Sequence, residues 1–192
     1  MRTSAKERKT KETNITVSLE LDGTGKADID TGVGFFDHML TALAVHARFD
    51  LAVKCEGDLG VDAHHSVEDV GIVLGQAFAE AIGDKAGIAR YGSFTLPMDE
   101  ALASCHLDVG GRIYAVIDAP FTADRVGELD TQMISEFFTA FANNAKITLH
   151  LAILYGENDH HKAEALFKAF AHALRLAVSQ EGENLLTTKG AL

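Results

Sequence analysis

Two five-residue clusters carry most of the candidate chemistry in this chain. They are His64-His65-Ser66-Val67-Glu68 and His160-His161-Lys162-Ala163-Glu164, and they hold four of the nine histidines. On a helix, a His at i and a Glu at i+4 share a face, while the adjacent His points about 100° away. Each cluster therefore offers an imidazole–carboxylate pair in one direction and a lone imidazole in another. Two facing clusters can build two metal sites. His64 with Glu68 would serve one ion and His160 with Glu164 the other, with His65 and His161 crossing to the opposite ion. A solvated helix start explains either cluster alone, but not its recurrence within a longer repeat. Nitrogen and oxygen ligands without thiolate suit Mn2+, Fe2+ or Zn2+, and an open octahedral position favours manganese. No Cys-x-x-Cys is present to hold a structural zinc.

The elements that must position these clusters also come in duplicate. Ile15, Val17, Leu19 and Leu21 alternate with polar residues, as a half-buried strand does, and Ala103, Cys105, Leu107 and Val109 repeat the pattern 88 residues later. Second strands at 27–29 and 115–117 follow turns containing Gly23 and Gly25, or Gly110 and Gly111. Short helices come next, with Phe35, Phe36, Met39, Leu40 and Leu43 matching Met133, Ile134, Phe137, Phe138 and Phe141 at an offset of 98. Third strands carry Phe49, Leu51, Val53 and Cys55, or Ile147, Leu149, Leu151 and Ile153. The His clusters then open long helices, in which Val70, Leu74 and Phe78 match Leu166, Phe170 and Leu174 at an offset of 96.

The prediction is an α+β, two-layer fold made of two duplicated β-β-α-β-α halves. A basic, flexible N-terminus is expected at 1–10, the first repeat at 11–86, the second at 87–180 and a tail at 181–192. The stretch 83–99, with Gly87, Gly92 and Pro97, reads as the joint. The short-helix alignment pairs His38 with Glu136, so each half offers a third candidate ligand. His46, His106, His150 and His172 read as surface or capping residues.

Composition narrows the class. The 192 residues are 47% hydrophobic and 23% charged, as in a globular chain. A net charge of -11 argues against a nucleic-acid partner, and an anionic ligand needs a local basic pocket. No apolar run approaches a membrane span and no secretory core follows the start, so neither a membrane nor export is expected. Cys55 and Cys105 fall at apolar-face positions of strands and read as reduced core thiols, which suits the cytoplasm.

A series of motifs, in its order and spacing, resembles the imidazoleglycerol-phosphate dehydratase family, manganese lyases of histidine biosynthesis. It begins with Arg8-Lys9-Thr10-Lys11-Glu12-Thr13, against a family pattern RxTxET, and Phe36-Asp37-His38-Met39-Leu40. Asp62-Ala63 leads into the first His cluster and Asn158-Asp159 into the second. Between and after them come Arg90-Tyr91-Gly92, Met98-Asp99-Glu100-Ala101, Gly111-Arg112, Phe167-Lys168-Ala169-Phe170 and Thr188-Lys189-Gly190. The resemblance implies a ribosomal S5 domain 2-like fold, two Mn2+ per subunit at subunit contacts, and a 24-subunit homo-oligomeric shell of trimers. The chain departs from the family at Glu136, where His is common, and at Ala42, where Gln is common. Leu186-Thr187 replaces a usual Pro-Ser, and Gly110-Gly111-Arg112-Ile113 a commoner Ser-Gly-Arg-Pro.

The reaction implied is dehydration of D-erythro-imidazoleglycerol phosphate to imidazole acetol phosphate. The hydrogen to be removed sits on a carbon with no neighbouring carbonyl. Two ions on the ring can stabilise an imidazolate, which expels the adjacent hydroxyl to leave a diazafulvene-like intermediate with a more acidic C–H. Glu12 is the first candidate base, while Glu68 and Glu164 are ligands that can double as proton carriers. Arg90, Arg112, Lys168 and Lys189 match the family's phosphate-binding set, with Thr187 and Thr188 as further donors. Lys168 follows Glu164 by four residues, on the metal-binding face of its helix. A metal-dependent hydrolase would use the His clusters but not the phosphate set. A non-catalytic metal-storage shell would leave Arg90, Arg112 and Lys189 without a role.

Overall fold

The computed structural model describes residues 1–190. The first half runs β1 (Thr3–Lys9), β2 (Thr13–Glu20), β3 (Ala27–Asp30), α1 (Gly34–Ala47), β4 (Asp50–Gly57) and α2 (His64–Ile82). The second runs β5 (Tyr91–Met98), β6 (Ala101–Asp108), β7 (Tyr114–Asp118), a hairpin of β8 (Arg125–Val126) and β9 (Leu129–Asp130), α3 (Gln132–Ala145), β10 (Thr148–Tyr155) and α4 (Asp159–Ala177). Both halves contain the expected β-β-α-β-α series with one further strand ahead of it. The two main sheets have the same order, β1-β2-β4-β3 and β5-β6-β10-β7. Only β3 with β4 and β7 with β10 pair in parallel, joined through a helix as parallel strands require. The β8–β9 hairpin falls between β7 and α3, where the repeat offset grows from 88 to 98.

Two expectations need correction. Residues 1–10 do not form a flexible N-terminus: β1 pairs with β2 from Thr3 opposite Glu20 to Lys9 opposite Asn14. The strand is hard to see in the sequence because the residues it turns towards α2 are Ser4, Lys6 and Arg8. Ser4 and Lys6 bond Glu80 of α2, and Arg8 bonds Asp69. Ion pairs replace the apolar alternation that periodicity detects. Likewise the stretch 83–99 is not only a joint, because it holds β5. Gly92 lets this strand lie against α4, where a Cβ would stand 1.9 Å from the carbonyl oxygen of Ala173.

The helices fill the space between the two main sheets. α2 lies on β1 and β2, and α4 on β5 and β6, while α1 packs on α4 and α3 packs on α2. The halves are thus tied by two inter-helix seams. Phe36 from α1, Phe78 from α2, Phe137, Phe138 and Phe141 from α3, and Phe167 and Phe170 from α4 are fully buried together. Their rings meet edge-on or tilted, with centroids 5.3 Å apart for Phe36–Phe137 and 4.7 Å for Phe138–Phe167, except Phe137 and Phe167, which stack. Each such burial stabilises the fold by about 1.5–3 kcal/mol. Along the α2–α3 seam, a Cβ on Gly75 would stand 2.6 Å from the carbonyl oxygen of Phe141, so glycine lets the two backbones touch. Cys55 and Cys105 are buried free thiols, and burial pushes both above the ordinary thiol range. Among the described residues, no helix is long and apolar enough to cross a membrane.

Candidate active site

The α1–α4 seam brings His38 of the first half to His160 and Glu164 of the second, with one ligand atom of each within 4.8 Å of the others. Glu164 Oε2 lies 3.2 Å from His160 Nε2 and 3.6 Å from His38 Nε2. Its other oxygen lies 2.7 Å from Lys168 Nζ. Burial works to raise the Glu164 carboxyl, but Lys168 and then the two imidazoles outweigh it and hold the group below its usual range. Phe35 sets its edge against His160, with centroids 5.1 Å apart, and closes one side of the cluster.

The α2–α3 seam is less complete. His64 Nε2 lies 3.7 Å from Glu68 Oε2. Glu136, the counterpart of His38, is exposed and makes no hydrogen bond or ion pair among the described residues. One cluster therefore presents three ligands and the other two. Ala42 is buried within α1.

Both clusters are held at helix starts by equivalent residues. Asp62 accepts the backbone N–H of His64 at 2.8 Å, and Asn158 accepts those of His160 and His161 at 2.9 and 3.3 Å. At α4 a buried pair, Asp159 with Lys162 at 2.7 Å, also gathers the amides of Thr122 and Ala123. Burial opposes the charge on Asp159, yet Lys162 and these donors bring its pKa down to about 2.

The second imidazole of each pair is fixed by its own carboxylate. His65 Nδ1 lies 3.0 Å from Asp58, and His161 Nδ1 lies 2.7 Å from Glu100. These carboxylates raise the proton affinity of the two rings, chiefly through the hydrogen bond. Glu100 in turn accepts the amides of Asn158 and Glu157, and first Asn158, then His161, hold its pKa at about 2. A carboxylate on one ring nitrogen is how metal-binding histidines are commonly oriented, leaving the other nitrogen to coordinate. Within the chain, neither His65 nor His161 joins the opposite cluster. Nothing in the spacing of the sequence marks Asp58, while Glu100 had one signal, its place in Met98-Asp99-Glu100-Ala101.

The RxTxET residues hold Glu12 near this imidazole. Arg8 and Thr13 both bond the Asp69 carboxylate on α2. The Thr10 hydroxyl accepts the amides of Glu12 at 3.0 Å and Thr13 at 2.9 Å, closing the turn between β1 and β2. Glu12 is 54% exposed, with Oε2 3.9 Å from His65 Nε2.

A cavity of about 740 Å³ gathers Arg90, Arg112, Thr187, Thr188 and Lys189 with Tyr91, Gly110 and Gly111. Lys168 is not in its wall but on Glu164. Within the cavity Arg90 is already engaged: it grips Asp108 through two bonds of 2.7 and 3.0 Å and donates to the Leu186 carbonyl at 2.6 Å. It thereby anchors the C-terminal segment. Gly110 permits that grip, since a Cβ would stand 2.7 Å from both the Arg90 guanidinium and the Asp108 carboxylate. Arg112 has no carboxylate within ion-pair distance among the described residues, which leaves its charge for a ligand.

Comparisons with known proteins agree on one family. The family model described as Imidazoleglycerol-phosphate dehydratase matches residues 31–174. The imidazoleglycerol-phosphate dehydratase of Methanosarcina barkeri is 59% identical over 192 residues, covering the whole of both chains. That of an Exiguobacterium species is 57% identical over 99% of this chain and 98% of its own. The crystal structure of the Staphylococcus aureus dehydratase superposes with a TM-score of 0.84 at 39% identity, covering 93% of this chain and 99% of that one. The Pyrococcus furiosus structure, in complex with (S)-C348, gives a TM-score of 0.85 at 36% identity, covering 97% and 100%.

Proposed function

The chain belongs to the imidazoleglycerol-phosphate dehydratase family, and from that premise we propose that it removes water from D-erythro-imidazoleglycerol phosphate to give imidazole acetol phosphate. It is an enzyme, a hydro-lyase of histidine biosynthesis. The observation that carries the mechanistic reading is the convergence of His38 from one half on His160 and Glu164 from the other. This donor set, imidazole and carboxylate without thiolate, fits Mn2+. We assign one ion to His38, His160 and Glu164 and a second to His64 and Glu68, two per subunit, with Glu136 a further candidate. The Nε2 atoms of His65 and His161 complete the sites of neighbouring copies in a homo-oligomer, a 24-subunit shell. Buried reduced thiols suit a cytoplasmic enzyme.

When bound, the ions would supply Lewis-acid stabilisation of charge developing on the substrate ring. The chain's own residues do the rest. Glu12 accepts the carbon-bound proton as the C–H bond breaks, and the hydroxyl departs as water with a proton delivered by Glu68. The resulting enol relaxes to the ketone. Arg112, Lys189 and the hydroxyls of Thr187 and Thr188 hold the phosphate, while Arg90 keeps their segment in place. Lys168 holds Glu164 ionised and adds positive charge where the anionic substrate must approach.

The test is formation of the acetol phosphate from imidazoleglycerol phosphate by the purified protein. Activity should vanish on chelation and return with Mn2+. A fully manganese-loaded protein that forms no product would refute the reading.

A further inference from the structure

Eight residues beyond His38 on α1 stands His46, and eight beyond Glu164 on α4 stands His172. At 1.5 Å per residue, this second rung of the α1–α4 seam lies about 12 Å along the helices from the candidate ligands. There His46 Nδ1 meets His172 Nε2 at 3.2 Å. Phe94 of β5 stacks flat on the His172 ring, with centroids 4.3 Å apart and planes at 12°. Both rings are half-buried, and His46 stands in the last turn of α1, so neither lies free on the surface.

The repeat supplies an independent observation. His46 corresponds to Asn144 at the offset of 98, and His172 to Gln76 at the offset of 96. At the exposed edge of the α3–α2 seam, Gln76 Nε2 donates to Asn144 Oδ1 at 3.3 Å. Two different residue pairs thus make one side-chain hydrogen bond at the same place in each seam. We propose that His46 and His172 are positioning residues whose hydrogen bond fixes the register of α1 on α4, and so sets His38 against His160 and Glu164. Asn144 and Gln76 do the same for α3 on α2.

The physical reason is that the remaining contacts along these seams are largely apolar, and apolar surfaces tolerate small slides. A single polar pair inside a helix interface specifies one register. The pair needs a lone pair on one ring and an N–H on the other, which two neutral imidazoles provide. Burial first, then Lys168, lower the proton affinity of His46, with Glu164 in partial opposition. Burial, His46 and Arg175 do so for His172. Arg2, Asp22, Arg48, Arg175 and Phe94 line the cavity onto which His172 opens.

The inference rests on His38, His160 and Glu164 holding an ion. The experiment measures Mn2+ affinity of the assembled protein from the paramagnetic resonance of free manganese, with thermal melting on the same samples. His46→Ala and His172→Ala should each weaken manganese about ten- to a hundredfold, as removal of an orienting partner does. The double variant should be no weaker than either single one. His46→Asn with His172→Gln, which transplants the other seam's pair, should recover most of the affinity and covers the case in which the alanine variants do not fold. Unchanged affinity in the alanine variants, with loss in His38→Ala, overturns the clamp and leaves the metal reading standing. Unchanged affinity in His38→Ala as well overturns both. Weakened alanine variants that the Asn–Gln pair fails to rescue would show general packing instead of a register lock.

Discussion

Glu12 carries the proton-transfer assignment, and its surroundings make the assignment testable. It is exposed at the tip of a turn whose shape is fixed by Thr10, Arg8 and Thr13, and none of those three contacts uses its carboxylate. Glu12→Gln should therefore keep the turn, the fold and the substrate affinity. Turnover should fall by about 10²–10⁴, the usual contribution of a positioned base. Steady-state kinetics with metal analysis on the same samples decide it, and near-normal turnover in a loaded enzyme would move the role to a ligand carboxylate. Arg112 and Lys189 make a different prediction, a loss of affinity with metal content unchanged. Each alanine variant should cost about 1.5–3 kcal/mol in substrate binding, and less for an analogue without phosphate. Equal losses for both ligands would remove these residues from the phosphate site. At this scale, what the sequence reveals depends on locality. His64 with Glu68 and His160 with Glu164 were legible because a helix turn puts i and i+4 together. His65 with Asp58, His161 with Glu100 and His46 with His172 were not, because their partners come from other loops or helices.

Periodicity captured the elements that bury an apolar face: β2, β3, β4, α1 and α2 of the first half and their counterparts in the second. It failed where charged or small residues do the packing. β1 meets α2 through ion pairs and lacks alternating hydrophobicity, whereas β5 does alternate, with Phe94, Leu96 and Met98 on its inner face, but Gly92 and Pro97 within it read as a joint. The same physics governs the seams. Gly75 sits where the α2 and α3 backbones touch, while its counterpart in the repeat, Ala171 on α4, is buried with a methyl group in place. Gly75→Ala should therefore destabilise the protein by about 1–3 kcal/mol through overpacking, although alanine favours a helix. Chemical denaturation of the metal-free protein would check this. A variant as stable as the parent would mean that the α2–α3 contact relaxes at no cost.

On the scale of the whole molecule, the candidate metal clusters of a single chain are incomplete. One cluster has three candidate ligands and the other two, whereas Mn2+ takes six. His38, His64 and His160 are 43–48% exposed, so both clusters open outwards. His65 and His161 are each anchored through Nδ1, with Nε2 outside either cluster of their own chain. Copies of a chain with net charge -11 also repel one another, and bridging cations would relieve that repulsion. Assembly and metal binding should then be linked, each stabilising the other. Stripping the protein with a chelator should lower its mass in sedimentation velocity, and stoichiometric Mn2+ should restore it. His161→Ala, which keeps every ligand of the His38 cluster, should bind less metal and fail to reassemble fully. An assembly that keeps its mass after complete metal removal would show that apolar and hydrogen-bonded contacts alone hold the copies together, with the ions serving chemistry only.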